Sequence, residues 1–370
     1  MSALAPQNFG SVLVMAGGTG GHVFPALSIA RELQSKGYRV EWLGTESGLE
    51  AKVLDGTDIP LHCIQARGLR GKGLVSLLLA PFMVLRAVVE AVAVIKAVGP
   101  CCVLGMGGYV TGPGGVAAKL MGKPLLIHEQ NAVAGFTNRL LSRIAVRVME
   151  AFPGTFEASS KVLCTGNPVR KEISAIGENA RETRSADALR VLVIGGSLGA
   201  VAINQLVPAA LAESRTCEEV EIWHQAGNRN LEQTLEAYRK HGLSVGERIR
   251  VAPFIDDMAQ AYRWADLVIC RAGAMTVSEL AAAGKASILV PFPHAVDDHQ
   301  TSNAKSLSES GAAILVQQNE LDKTKLASLL DDFRKNRDQL YAMGEKAREQ
   351  AKLEASELVS SKCIEACRCE

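Results

Sequence analysis

The run Gly17-Gly18-Thr19-Gly20-Gly21-His22 stands directly after the apolar stretch Ser11–Ala16 and directly before a helical pattern. Glycines accept positive φ, and their backbone N–H groups can approach a phosphate or a sugar closely at a helix mouth. The spacing is not the dinucleotide G-x-G-x-x-G, because Val23 falls where the third glycine would stand, and there is no Walker sequence. A bare strand-to-helix turn is the plainer reading. His22, following four glycines, is nonetheless a candidate general base or phosphate contact. Gly195-Gly196-Ser197-Leu198-Gly199 repeats the device, with Ser197 able to hydrogen-bond a phosphate oxygen. Two such mouths suit a donor and an acceptor that both carry pyrophosphate.

Three further constellations carry polar chemistry. In Arg271–Gly284, RAGAMTVSELAAAG, Thr276 and Glu279 have the spacing of a capping box; alternatively Glu279 is free to accept two ribose hydroxyls while the helix mouth faces a pyrophosphate. His128-Glu129-Gln130-Asn131 follows Leu125–Ile127, and four polar residues at a strand's carboxyl edge suit a site better than a core. Asp256-Asp257 and Asp297-Asp298 are expected to serve as a helix cap, through Asp256, and as part of a polar loop, so that no metal ion and no cofactor is expected.

The elements that must hold these residues follow one rhythm: a short β-branched run, a glycine turn, an amphipathic helix. Strands are expected at Ser11–Ala16, Arg39–Leu43, Cys101–Gly105, Leu125–His128 and Arg147–Met149, with a helix opened by Pro25 after the first. The rhythm restarts with strands at Arg190–Ile194, Glu221–His224, Arg250–Ala252, Leu267–Cys270 and Ser287–Val290. Lys171–Ala188, polar and without apolar period, reads as a joining segment, and a long helix is expected from about Arg337 to Ala366. Such alternation builds parallel sheets covered on both faces. The fold class is α/β, with domains 1–168 and 169–347 and a terminal helix at about 348–370 returning to the first.

A chain of 370 residues is long enough for two such domains. With 40 Lys and Arg against 39 Asp and Glu, the net charge of +1 lacks the basic excess of a nucleic-acid binder. Hydrophobic residues at 48% exclude wholesale disorder. The nine cysteines show no disulfide framework and read as free thiols; the tail Cys363, Cys367 and Cys369 lacks a second cluster to complete a metal site. Nothing at the N-terminus has the form of a secretory signal. Leu74–Val98 is the most apolar stretch, but its longest uncharged piece, Gly73–Leu85, falls short of the roughly 20 residues a membrane span needs. With Arg67, Arg70 and Lys72 before it and Arg139, Arg143 and Arg147 elsewhere, Leu74–Leu85 is either a core helix or a patch that docks on an anionic bilayer.

The segments VMAGGTGGHVFPAL, LGMGGYVTGPGG, HEQN, GNPVR, GGSxG, FIDDM, VSELAAAG and PFPHAVDDHQTSNA occur in this order across most of the chain. In this they resemble the MurG family of bacterial glycosyltransferases. The resemblance implies a GT-B fold: two Rossmann-like doubly wound parallel-sheet domains facing a central cleft, the first on the acceptor and membrane side, the second holding the sugar nucleotide. It implies inverting transfer of N-acetylglucosamine from UDP-N-acetylglucosamine to the 4-hydroxyl of undecaprenyl-pyrophosphate-linked muramoyl-pentapeptide. The product is the lipid-linked disaccharide of peptidoglycan, made peripherally at the cytoplasmic face of the inner membrane. Carried over by motif, Phe254 and Ile255 would meet the uracil and Glu279 the ribose. Ser197, Ala274, Met275 and Thr276 would hold the pyrophosphate, Val277 and Ser278 would also bind the donor, and Gln300, beside His299, would read the sugar. Arg170 and Asn131 would also face the donor, and Thr19, Gly20 and Gly21 would lie near the acceptor and the transferred sugar. His22 is the expected base and Glu129 the alternative. Leu198, Ala272 and Met275 depart from the family's usual Gln, Ser and Leu, at positions where backbone contacts dominate. An epimerase of the same architecture, or a non-catalytic sugar-nucleotide sensor, would share the donor features without the acceptor side.

Overall fold

The computed structural model describes residues 9–66, 74–178, 188–196 and 199–368. The chain forms two compact units, 1–168 with 353–370, and 169–352.

Unit 1 runs β1 (Ser11–Ala16), α1 (Gly20–Ser35), β2 (Arg39–Gly44), α2 (Leu49–Leu54), β3 (Leu61–Cys63), α3 (Leu74–Val98), β4 (Cys102–Gly107), α4 (Thr111–Leu120), β5 (Leu125–Glu129), α5 (Phe136–Leu141), β6 (Arg147–Glu150) and β7 (Val162–Cys164). Its seven parallel strands lie in the order β3-β2-β1-β4-β5-β6-β7. Val12 pairs with both Val40 and Cys102, which puts β1 at the centre. Alternate residues of β1 serve opposite faces. Val12, Val14 and Ala16 join a core with α1, whereas Leu13 and Met15 join another with α3 and α4. A strand buried on both faces needs apolar residues at every position, and Ser11–Ala16 supplies nearly that.

Unit 2 runs α6 (Lys171–Ser174), β8 (Leu189–Ile194), α7 (Val201–Glu213), β9 (Val220–Gln225), α8 (Leu231–Lys240), β10 (Ile249–Ala252), α9 (Met258–Trp264), β11 (Leu267–Cys270), α10 (Ala274–Ala283), β12 (Ala286–Leu289), α11 (His299–Ser308), β13 (Ala313–Leu315), α12 (Lys323–Lys335) and α13 (Arg337–Glu349). The sheet order is β10-β9-β8-β11-β12-β13, all parallel. Val191, Val193, Val207, Leu211, Leu326 and Leu330 share one apolar core. Within it His224 is fully buried and bonded on both nitrogens, to Tyr238 Oη at 2.9 Å and Asn204 Oδ1 at 3.0 Å. Because Asn204 Oδ1 only accepts, Nε2 carries the proton and the Tyr238 hydroxyl donates to Nδ1.

Several expectations need correction. The terminal helix is interrupted after Glu349, and the chain returns to unit 1 as α14 (Ala355–Arg368), which packs on α1 and β4 and buries Ala355, Val359 and Cys363. Lys171–Ala188 does not simply join domains: Ile173 and Ile176 are buried and Arg348 Nη1 donates to Ser174 O, so the segment's start belongs to unit 2. Pro25 does not open α1 but lies in its second turn, because the glycines themselves take helical conformation from Gly20. The cysteines are not all free. Cys101 and Cys367 are joined as a disulfide, a pairing hidden by their separation of 266 residues.

Burial is the main cause that lowers the pKa of His224 to about 3 and that of His128 to about 4. Both stay neutral in the folded chain when an unfolded histidine, near 6.5, takes up a proton. Stability is therefore complete above pH 6.5 and falls as the pH drops through 6.5 toward 4, by a few kcal/mol for each histidine. Denaturant titrations at pH 7 and pH 5 should show a lower midpoint at pH 5; equal midpoints would refute the assignment.

Candidate functional site

In unit 1 the carboxyl ends of β1, β4 and β5 bring three loops to one edge. Gly18, with φ of +91°, turns the chain into α1, whose N-cap Thr19 is exposed. Its first-turn N–H groups, at Gly20 and Gly21, have no helical carbonyl to reach. The backbone of Gly107-Gly108 passes so close that a Cβ on Gly108 would collide with the Gly17 carbonyl, and one on Gly107 would lie 2.8 Å from the His22 ring. Glycine is required there by contact.

His22 begins a relay. Its Nδ1 lies 2.8 Å from Gln130 Oε1, Gln130 Nε2 lies 3.0 Å from His128 Nδ1, and His128 Nε2 lies 3.0 Å from Gly166 O. Gln130 Oε1 and Gly166 O are carbonyl oxygens that only accept, so the ring nitrogen facing each of them carries a proton. His22 carries its proton on Nδ1 and His128 on Nε2. In the neutral ring the lone pair of His22 therefore lies on Nε2, the tautomer a general base needs. Gln130 is buried; its amide nitrogen also donates to His128 O at 3.2 Å, and its backbone carbonyl accepts from Asn167 Nδ2 at 3.0 Å.

Glu129, the alternative base, is engaged otherwise. Its buried carboxylate accepts from the Asn131 backbone N–H (3.1 Å), Asn131 Nδ2 (3.2 Å), the Gly135 N–H (3.0 Å) and Asn138 Nδ2 (3.0 Å). It shapes the loop that carries Asn131. Sequence reasoning overlooked Glu50, which does the same for the glycine turn. Fully buried, it accepts from the N–H groups of Gly18 (3.2 Å) and Thr45 (2.9 Å) and from Thr45 Oγ1 (2.8 Å). The faint signal is that Gly17, Gly44 and Gly48 are all small where Glu50 passes.

In unit 2 the structure joins two expected residues 109 positions apart: Arg170 Nη2 lies 3.2 Å from Glu279 Oε1. The Tyr262 hydroxyl donates to Glu279 Oε2 at 3.1 Å. Burial raises the Glu279 pKa against the opposing pull of Arg170 and Tyr262. Glu279 thus forms no capping box with Thr276. Helix α10 starts at Ala274 behind Gly273, without a side-chain cap, which leaves its mouth to backbone N–H groups. Met275, Thr276 and Ser278 are half-buried around it; Ala274 is buried, and Val277 turns into the core with its N–H bonded to Gly273 O.

The other donor-side residues fall on neighbouring loops. Phe254 is exposed and Ile255 buried, and the Ile255 N–H donates to Gln225 Oε1 (3.2 Å) while Gln225 Nε2 donates to Gly196 O (3.0 Å). Gln225, unrecognised in the sequence, thus ties the second glycine turn to the Phe254–Ile255 loop. Ser197 and Leu198 lie outside the described residues. Gln300 Oε1 accepts from the Phe292 N–H at 2.9 Å, just after Asp297 and Asp298, both left-handed with φ of 52° and 49°. Non-glycine residues held there are uncommon and gather at functional loops. Asp257, not Asp256, caps α9 by accepting from the Gln260 N–H at 2.8 Å.

Comparison with known proteins fits this geometry. Residues 12–150 match the glycosyltransferase family 28 N-terminal domain and residues 190–359 the family's C-terminal domain. Two doubly wound parallel sheets with glycine turns at their carboxyl edges thus form a GT-B glycosyltransferase. The UDP-N-acetylglucosamine--N-acetylmuramyl-(pentapeptide) pyrophosphoryl-undecaprenol N-acetylglucosamine transferase of Ectopseudomonas mendocina is 55% identical, over 97% of this chain and 99% of its own length. The enzyme of that name from Marinobacter nauticus is 53% identical, over 96% and 97%. The crystal structure of Acinetobacter baumannii MurG is 44% identical, with a TM-score of 0.81 over 96% of this chain and 99% of that one. The chain belongs to the MurG family. A putative UDP-N-acetylglucosamine 2-epimerase from Listeria monocytogenes, 16% identical with a TM-score of 0.67 over 94% of each chain, shares the fold alone.

Glu50→Leu removes the acceptor for three buried donors at once. It should lower stability by about 2–4 kcal/mol in denaturant titrations and speed hydrogen exchange at Gly18. Unchanged exchange would show that the turn stands without the carboxylate.

Proposed function

We propose that this chain transfers N-acetylglucosamine from UDP-N-acetylglucosamine to the 4-hydroxyl of a muramoyl-pentapeptide carried on undecaprenyl pyrophosphate. The observation that carries the mechanism is the relay that holds the His22 Nδ1–H on Gln130 and so selects the tautomer with its lone pair on Nε2, at the mouth of α1. His22 takes the proton of the acceptor hydroxyl as its oxygen attacks the anomeric carbon, and UDP departs from the opposite face, so the configuration inverts. Gln130 and His128 hold the imidazole and its tautomer; Glu129 and Glu50 hold the loops. Thr19, Gly20, Gly21 and Asn131 position acceptor and sugar.

The donor assignment rests on the mouth of α10. Its backbone N–H groups and partial positive charge offset the growing charge on the leaving diphosphate, joined by Arg170, Thr276 and the turn that contains Ser197. Glu279, steadied by Arg170 and Tyr262, accepts the ribose hydroxyls. Phe254 and Ile255 meet the base, and Gln300 reads the sugar.

The lipid carrier gives meaning to an apolar surface on unit 1. Phe82 and Leu85 on α3, Leu120 on α4 and Phe136 on α5 are 73%, 62%, 68% and 73% exposed. Helix α3 packs on α4 and α4 on α5, and Arg86, Arg139 and Arg143 are exposed on the same elements or just beyond. Arg67, Arg70 and Lys72, and the side chains of 74–79, lie outside the described residues. No helix among the described residues is long and apolar enough to cross a membrane. We assign this face to peripheral contact with the anionic cytoplasmic leaflet of the inner membrane.

UDP release should require the lipid-pyrophosphate acceptor; donor conversion without acceptor would favour an epimerase, and donor binding without release a sensor. His22→Ala should lower kcat by about 10²–10⁴-fold, and Gln130→Leu by a smaller factor with the KM for donor preserved. Near-normal turnover of His22→Ala at saturating acceptor would reject the base. Phe82→Glu with Leu85→Glu should weaken partition onto vesicles containing anionic lipid by roughly tenfold or more, with turnover of a soluble acceptor analogue retained; unaltered partition would reject the docking face.

A further inference from the structure

Three sulfur atoms converge at the amino-terminal edge of the unit 1 sheet, opposite the edge that carries the catalytic loops. The Sγ atoms of Cys101, Cys102 and Cys367 lie within 4.8 Å of one another, and Cys101 and Cys367 are bonded, their Cα atoms 4.8 Å apart. Cys101 stands just before β4, where its N–H donates to Ser11 O at 2.8 Å, and Cys367 lies in the last turn of α14. We propose that Cys101 and Cys367 form a reversible thiol–disulfide pair, a modification site that a low-molecular-weight disulfide closes and a low-molecular-weight thiol opens.

Burial selects which of the neighbouring thiols take part. Cys101 and Cys367 are half-buried, whereas Cys102 and Cys363 are fully buried in the apolar core with Leu104 and Val359. Exchange needs an approach to the sulfur, and Cys102 and Cys363 expose none of their surface, so they stay out of it. The balance is simple. The Cys101 thiolate attacks one sulfur of RSSR, forms a mixed disulfide and expels RS⁻. The Cys367 thiolate then attacks the Cys101 sulfur and expels the second RS⁻. Two cysteine thiols become one disulfide, RSSR is reduced to two RSH, and the cysteine protons end on the released thiols.

The consequence lies in chain topology. Helix α14 belongs to unit 1 but follows unit 2 in sequence, and it packs on α1 through an apolar face supplemented by a bond from Lys36 Nζ to Ser360 Oγ at 2.9 Å. The disulfide makes that attachment covalent and closes a loop of 266 residues that contains the whole of unit 2. A reducing compartment keeps such a pair open. Closure therefore records an oxidising episode by fastening the terminal helix.

The test uses the full-length chain, equilibrated across ratios of reduced to oxidised glutathione, alkylated while folded and mapped by mass spectrometry. A Cys101–Cys367 cross-linked peptide should appear at oxidising ratios. At reducing ratios both residues should carry the alkyl group, while Cys102 and Cys363 react only after denaturation. The oxidised chain should melt several degrees above the reduced one, a difference lost in Cys367→Ser and in Cys101→Ser. The proposal fails if the cross-link is absent at every ratio, if Cys102 takes the place of either partner, or if the melting difference survives both substitutions. It also fails if the reduced chain, supplied with zinc, retains one equivalent that shields the three thiols from alkylation, for then they form a thiolate metal site.

Discussion

Parallel pairing is the constraint on which the rest of the molecule depends. When neighbouring strands run the same way, every crossover starts from one edge of the sheet and returns to the other. The segments after β1, β4 and β5 are therefore delivered together, although they lie a hundred residues apart in sequence. Crowding follows from that convergence. Gly107 and Gly108 lack side chains because the His22 ring and the Gly17 backbone fill the space a Cβ would need, and Gly17 because the Glu50 carboxylate does. Unit 2 applies the same constraint at β8, β9 and β11.

A buried glutamine completes the edge in both units. Gln130 follows β5 and Gln225 ends β9, and each uses the two ends of its amide for different segments: the first for α1 and β5, the second for two loops. An amide suits this task because its oxygen only accepts and its nitrogen only donates, so it imposes direction on whatever it joins. In unit 1 that direction reaches an imidazole and decides which nitrogen is basic. In unit 2 it holds two loop backbones in register. Carboxylates stand one layer behind: Glu50 and Glu129 gather N–H groups from turns that have no regular partners, which offsets the burial of their charge.

The central strands were legible in the sequence because burial on both faces leaves an unbroken apolar run, as in Ser11–Ala16 and Leu267–Cys270. The edge strands β3, β7 and β13 were not; each has three residues, too few to show a period, and most are only half-buried. The glycine turns and the polar run after Leu125–Ile127 were legible for the same local reason. Glu50 and Gln225 were invisible because their partners are brought near by the sheet rather than by spacing. The capping-box reading of Thr276 and Glu279 failed because α10 starts at Ala274 behind Gly273, which puts Thr276 inside the helix and leaves the carboxylate to Arg170 and Tyr262. The cysteine pairing was missed because its two halves lie 266 residues apart, with unit 2 between them.

The return of α14 to unit 1 bears on biosynthesis. Translation delivers the first seven strands early, yet the helix that covers α1 and the start of β4 is made only after the whole of unit 2. Throughout synthesis of everything from Val169 to Lys352, the nascent sheet carries an uncovered seam lined by Ala30, Leu33 and Cys102. Domains commonly mature in the order they emerge. Here the first sheet must wait, that seam bare until the fourteen-residue α14 has followed unit 2 out.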